Sequence, residues 1–274
     1  MGRWFAVLIV AIAIGSVLPI TRHSWLPPAI STHGHLIDEQ LFDTMIGTGL
    51  LFIAAQFMLA GFVWRFSGSQ PNARTTRFPG GARTMVIASL VIVVVEILAL
   101  SPLDQNAWAT VYFRSAAPDA MKIEAQAGQF AFYFRYPGAD GKFGARHPEK
   151  IDEADQNFFG LDPAVDPDAK DDIVSGELAV PVDREVQLLM HAKDVGHSFY
   201  VRELRIQQDF VPGLDLPVHF TATKTGKYEI VCTQLCGLGH YKMRAYLQVL
   251  PQADFDKWLQ QRLPAGSTAI AKER

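Results

Sequence analysis

The chain's two cysteines, Cys232 and Cys236, lie in one short run, CTQLCGLGHYKM, together with His240 and Met243. A further histidine, His197, stands upstream in DVGHSF. Thiolate, imidazole and thioether are soft ligands, the set that selects copper and tunes its redox potential. The spacing Cys-x3-Cys-x3-His-x2-Met lets two sulfurs, an imidazole and a thioether converge from a single loop. One blue-copper ion takes one cysteine and two histidines. A second cysteine allows both sulfurs to bridge two copper ions, each with a terminal histidine and weak outer ligands. Two other chemistries fit the cysteines by themselves, a Cys232–Cys236 disulfide and a zinc site. The disulfide leaves His240 and Met243 without a role, and zinc rarely recruits a thioether, so the pattern points to paired copper.

Such a loop needs a rigid rim to hold it. From about Val111 to Leu250 the sequence turns β-rich, in the runs MKIEAQ, GQFAFYFRY, REVQLLMHA, HSFYV, VHFTAT, GKYEIV and MRAYLQV. Turn residues at Pro181–Asp183, Pro212–Gly213 and Thr225–Gly226 punctuate them, which predicts a sandwich or barrel. About 140 residues is enough for one all-β core. The ligand loop falls between GKYEIV and MRAYLQV. Residues 137–172 interrupt the strands with a Pro-, Gly- and Asp-rich stretch of no clear period, read as a surface insertion. It fits an acidic docking surface for a basic partner or a solvated loop; its carboxylates do not follow an EF-hand spacing. The tail PQADFDKWLQQRL predicts an amphipathic helix opened by Pro251, with Phe255, Trp258 and Leu259 on one face.

Hydrophobic residues make up 49% of the 274-residue chain, and upstream of the β-region they gather in three apolar runs. These cover residues 4–20, 45–64 and 85–103, each near the ~17–25 residues that cross a hydrocarbon core. The loop between the second and third runs carries Arg65, Arg74, Arg77 and Arg83 and no acid, which places it in the cytoplasm by the positive-inside rule. Everything beyond Leu103 is then on the outer face of a bacterial-type plasma membrane. The first run, led by Arg3, could be a signal peptide, but no small-x-small cleavage site follows it, so it reads as a retained helix. The expected domains are an anchor at 1–103, an outer β-domain at 104–250 with its insertion at 137–172, and a C-terminal helix and tail at 251–274. A net charge of −3 excludes a nucleic-acid binder that rests on bulk electrostatics.

On DVGHSFYVRELRIQQDFVPG and FTATKTGKYEIVCTQLCGLGHYKM, the C-terminal half resembles subunit II of cytochrome c oxidase, which carries the mixed-valence dinuclear copper centre CuA. The resemblance implies a membrane anchor of two or three helices followed by a cupredoxin-like β-barrel or sandwich. It makes Cys232 and Cys236 the bridging thiolates, His197 and His240 the terminal imidazoles, Met243 a weak axial ligand and Gln234 a ligand through its backbone carbonyl. It implies electron transfer from a c-type cytochrome to a haem–copper subunit I that reduces O2 to water and moves protons, so oxygen chemistry is expected in a partner. No Cys-x-x-Cys-His motif is present, so no covalent haem is expected.

Several positions depart from the family. Phe130 and Phe132, in AGQFAFYFRYPG, stand where tryptophans take electrons from the donor, and a phenyl ring offers no N–H. Gln234 replaces a glutamate that binds magnesium shared with subunit I, so an interfacial magnesium is doubtful. No acid opens the third apolar run; Glu96 lies deeper in it, where lipid exposure is costly, so it is expected to face protein or water. Asp194 aligns with a docking acid and Asp209 with a position facing subunit I. Glu203 is a further acid near the site; His147, His191 and His219 read as ordinary polar residues. The alternatives are the CuA subunit of a nitric-oxide reductase and a membrane-tethered copper carrier, the second disfavoured because carriers need exposed, exchangeable ligands.

Overall fold

The computed structural model describes residues 2–17, 26–67 and 81–263. Arg74, Arg77, residues 18–20 of the first apolar run and the tail from 264 lie outside them. Two units make up the chain, residues 1–27 with 36–108, and residues 28–35 with everything from Ala109.

In the first unit, the apolar runs are helices because an uninterrupted hydrophobic segment must satisfy its own backbone. Helix α1 covers Gly2–Val17, α2 Gly34–Phe66 and α3 Gly81–Trp108. By length and composition α2 and the Gly81–Leu98 part of α3 are long enough to cross a membrane, whereas α1 is shorter. Helix α2 starts well before the apolar run at residue 45, because hydropathy marks only the lipid-facing part and the helical hydrogen bonds continue through Gly34–Thr44. Small residues, Ala6 and Ala13 of α1 and Ala60 of α2, are buried in this unit. The Arg3 guanidinium lies 5.4 Å above the Trp64 ring. Most large apolar side chains of α2 and α3, such as Phe52, Met58, Leu90 and Leu98, are exposed, as lipid-facing residues must be.

The second unit is a β-sandwich. One sheet has the order β3 (Ile173–Ser175), β2 (Ala131–Tyr136), β1 (Met121–Gly128), β5 (Glu185–Ala192), β8 (Leu216–Thr221). The other runs β4 (Leu178–Pro181), β10 (Arg244–Leu250), β9 (Gly226–Val231), β6 (His197–Val201), β7 (Ile206–Phe210). Pairing is antiparallel except for β1 with β5 and β10 with β4. Strand alternation sends Ile123, Ala125, Phe132, Phe134, Leu188, Phe199 and Leu247 into one shared core. Strands β3, β4 and β7 were not legible from pattern, being short, proline-ended or polar (IVS, LAVP, IQQDF). Asp183 and Gly213 take positive φ at the turns marked by Pro181–Asp183 and Pro212–Gly213. Helix α4 (Gln252–Gln260) buries Phe255 and Trp258, the latter edge-on to Tyr136 with centroids 5.1 Å apart.

Part of the stretch 137–172 packs on the outer face of the first sheet, burying Gly144, Phe159, Gly160 and Ala169, while its other residues are exposed or half-buried. Arg135, on the face of β2 turned from the core, is fully buried between the rings of Phe143 (5.1 Å) and Phe159 (5.8 Å). Its guanidinium pairs with Glu124 at 2.9 Å and with Asp172, and donates to the Gly144 carbonyl. Phe158 stacks on Tyr133 at 3.6 Å. Many of the acidic side chains serve the loop itself: Asp166 accepts from Ala145 N and Asp168 N, Asp152 from Ala154 N, and Asp162 from Lys150 and Ala164 N. Their lone pairs fold turns, which leaves less free charge for docking than composition suggests.

Candidate metal centre

Antiparallel strands β9 and β10 hold the cysteine loop at its base. Val231 pairs with Arg244, and Cys232 N donates to the Met243 carbonyl at 3.2 Å. Strand β6 joins the same sheet through Tyr200 and Val231, and His197 is its first residue. All the candidate ligands therefore leave one end of a single sheet. Within the loop, His240 N bonds to the Gly237 carbonyl and Lys242 N to the Gly239 carbonyl, closing a tight turn over His240–Lys242.

Both cysteines are unbridged thiols, buried, with their sulfurs 3.9 Å apart. Cys236 Sγ lies 3.6 Å from His240 Nδ1 and 3.8 Å from Met243 Sδ, and Cys232 Sγ lies 3.2 Å from the Gln234 carbonyl oxygen. His197, Cys232 and Cys236 present ligand atoms within 4.8 Å of one another. His197 is fully buried, and its Nε2 is 2.7 Å from Asp194 Oδ1. Its Nδ1 has no hydrogen-bond partner among the described residues. A buried bare nitrogen beside two thiols is what a soft metal ion would satisfy, so the residues fit copper. Burial and the neighbouring Cys232 push the Cys236 thiol up to about 11. Partial burial opposes ionisation of Asp194, yet hydrogen bonds with His197, Gln129 N and Val195 N hold its carboxyl below the usual range. A proton held on Nε2 by this carboxylate would leave Nδ1 able to ligate a metal, the outer-partner arrangement of metal-bound histidine.

The two phenyl rings proposed for electron input separate. Phe130 is in the β1–β2 turn, 39% exposed, with its ring against the loop backbone. A Cβ on Gly239 would sit 2.4 Å from Phe130 Cδ2, and one on Gly237, whose φ is +132°, would sit 2.9 Å from Gln129 Nε2. Both glycines are needed for this approach, and Gln129 Nε2 donates to the Cys236 carbonyl at 2.5 Å. Phe132, by contrast, is 2% exposed and packs on Phe210 in the core. Strand alternation points it inward, so of the two rings only Phe130 presents surface. Around the loop Leu235, Leu238 and Tyr241 project into solvent, Leu238 being 97% exposed. Asp209 lies on β7 opposite Ser198, and Glu203 is held by Arg202. His147 sits 3.5 Å from Glu149, apart from the site. Asp194, expected as a docking acid, has Oδ1 2.7 Å from His197 Nε2, a pairing the sequence did not signal, and His33 is a buried imidazole that the sequence did not single out.

Residues 167–250 match the profile of the cytochrome c oxidase subunit II periplasmic domain. The alternative cytochrome c oxidase subunit 2 of Bradyrhizobium diazoefficiens is 31% identical over 259 residues, 94% of this chain and 91% of that protein. The cytochrome c oxidase subunit 2 of Thermostichus vulcanus is 47% identical over 89 residues, 32% of this chain and 27% of that one. The crystal structure of the periplasmic domain of subunit II of cytochrome oxidase from Bradyrhizobium japonicum is similar at 24% identity and a TM-score of 0.39, over 54% of this chain and 95% of that chain. With a relative matched along nearly its whole length, a β-sandwich behind apolar helices, and thiol and imidazole groups gathered at one sheet end, the chain belongs to the cytochrome c oxidase subunit II family.

Proposed function

We propose that this chain is the electron-accepting subunit of a terminal oxidase. It takes single electrons from a c-type cytochrome at a CuA pair held by Cys232, Cys236, His197, His240, Met243 and the Gln234 carbonyl, and passes them to a haem–copper subunit I that reduces O2 and moves protons. The observation that carries this reading is the convergence of two unbridged, buried thiols 3.9 Å apart with the bare Nδ1 of His197. Copper bound there would supply one-electron redox chemistry at a site with no place for substrate.

The chain's own residues do the rest. Cys236, a thiol at neutral pH in the metal-free protein, must release its proton to become a ligand, so loading is coupled to proton release. Burial of Cys232, Cys236, His197 and Met243 keeps water from the sulfurs. The β9–β10 frame limits movement of the ligands between redox states. Phe130 offers an exposed ring in contact with the loop, and Leu235, Leu238 and Tyr241 add apolar surface of the kind that marks a protein interface. Arg65 and Arg83, flanking α2 and α3 on one side, support an orientation with that side in the cytoplasm and the β-unit outside. The neutral Gln234 amide gives magnesium little purchase.

The test is spectroscopy of the copper-loaded full chain in detergent, with its co-purifying large subunit identified by mass spectrometry. Two coppers per chain with a valence-delocalised EPR signal support the reading. One colourless zinc, or a Cys232–Cys236 disulfide without copper, overturns it.

A further inference from the structure

Gln129 and Phe130 make the turn between β1 and β2, closed by the pairing of Gly128 with Ala131. This turn belongs to the first sheet, whereas the candidate metal ligands all leave the second. Beside it runs the connection from β5 to β6. Lys193 N donates to the Ala127 carbonyl at 2.8 Å, which brings the next residue, Asp194, against the turn. A Cβ on Gly128 would sit 3.7 Å from Asp194 Oδ2. The turn thus stands between Asp194, the partner of His197, and the cysteine loop.

Gln129 makes two hydrogen bonds among the described residues, and both leave the turn. Its main-chain N–H donates to Asp194 Oδ2 at 2.8 Å, while Asp194 Oδ1 faces His197 Nε2 at 2.7 Å. Its side-chain Nε2 donates to the Cys236 carbonyl at 2.5 Å. This second bond has no substitute. The loop's own main-chain bonds tie Cys232 to Met243 and close the turn over residues 237–243. Among the described residues, however, no main-chain N–H reaches the Cys236 carbonyl, and residues 233–236 join no main-chain bond. Cys236 therefore sits on a span without a framework of its own. Gly237, at φ +132°, leaves room for the amide, since a Cβ there would stand 2.9 Å from Gln129 Nε2. Gln129 as a whole is exposed, but its bond to Cys236 is partly buried, where an unpaired carbonyl is costly.

We propose that Gln129 is a positioning residue for the ligand set. Its side-chain amide fixes the Cys236 main chain, and its main-chain N–H fixes the carboxylate that faces His197. This rests on the copper reading above and deepens it: the placing of the thiol pair against His197 is set from across the sandwich, not by β6, β9 and β10 alone. A glutamine that merely fills the edge of a turn needs only its bulk. A positioning glutamine needs its N–H, because an acceptor in the same place would set two oxygens against each other.

The test compares the full chain in detergent with Gln129→Met, of similar length without a donor, and Gln129→Glu, of the same shape with an oxygen in the donor's place. In metal-free protein the alkylation rate of the two thiols under native conditions is expected to rise about 2–10-fold in Gln129→Met, the range one hydrogen bond commands. Gln129→Glu is expected to raise it further. After loading, copper affinity is expected to fall by about 10-fold or more, in the same order. The copper hyperfine splitting in the EPR spectrum should change while the circular dichroism does not. Equal alkylation, affinity and hyperfine splitting in wild type and both variants would overturn the inference, as would a Gln129→Glu chain no worse than Gln129→Met. Should Gln129→Glu fail to fold, Gln129→Met against wild type decides the matter. A wild-type chain that takes up no copper pair would end the copper reading, and the alkylation rates would still show whether Gln129 holds the loop.

Discussion

Asp194 is the residue on which the proposed His197 ligand depends. Its carboxylate fixes the imidazole tautomer at 2.7 Å while itself accepting from Gln129 N and Val195 N. Replacement by asparagine keeps the shape but lets the amide present an N–H to the ring, so the favoured tautomer is no longer enforced. Asp194→Asn is expected to weaken copper binding by about 10–100-fold with the fold intact, measured by competition with a copper chelator and by circular dichroism. Gly239 makes the complementary prediction. A methyl group there must displace the Phe130 ring, which lies 2.4 Å from the required Cβ position. Gly239→Ala is expected to keep both thiols and their copper while slowing reduction by a c-type cytochrome in stopped-flow measurements. An unchanged rate would show that Phe130 is not on the input path.

Among the elements, the stretch 137–172 is held to β1 and β2 by a buried guanidinium flanked by two carboxylates and two phenyl rings. Removing one partner of a buried ion pair leaves an uncompensated charge. Arg135→Met is therefore expected to cost about 3–5 kcal/mol in denaturant unfolding of the full chain. Nearby, His191 on β5 bonds through Nδ1 to Asp215 at 2.7 Å, while Nε2 lies 4.0 Å from Glu124. Burial, aided by the Arg146 charge and opposed by Asp215 and Glu124, holds its pKa below the ordinary imidazole value. The unfolded chain takes up that proton near pH 6.5, the folded chain only at lower pH. Stability is thus fully present above about pH 6.5 and is lost as the pH falls below it. The unfolding temperature of metal-free protein should drop on acidification through this window, and His191→Gln should remove part of the slope.

For the molecule as a whole, the two units obey different solvents. The β-unit buries its large apolar residues in one core, whereas α2 and α3 present theirs outward, with none of the α3 window buried. Such helices persist only in lipid, in detergent or against a partner's helices. The full chain is expected to stay in the membrane fraction after alkaline carbonate washing; release into the supernatant would rule out spanning helices. Glu96 is half-buried in the Gly81–Leu98 part of α3, whose other described side chains are exposed, and a carboxylate facing lipid there is costly.

Some of this was decided by local chemistry and some only by folding. The candidate ligand set could be proposed because Cys232, Cys236, His240 and Met243 share one loop, and side-chain type alone restricts what they could bind. The apolar helices were legible because hydropathy adds up residue by residue, although α2 extends beyond the lipid-length segment. Tertiary structure decided the rest, since it depends on partners far apart in the chain. Phe130 and Phe132 are two residues apart, yet the end of β1 turns one to the surface and strand alternation sends the other inward. The acidic stretch shows no period, because it is held by Arg135 meeting Asp172 and by its own turns rather than by a repeating apolar face. Composition cannot reveal such contacts, because partners far apart in the chain meet only after it has folded.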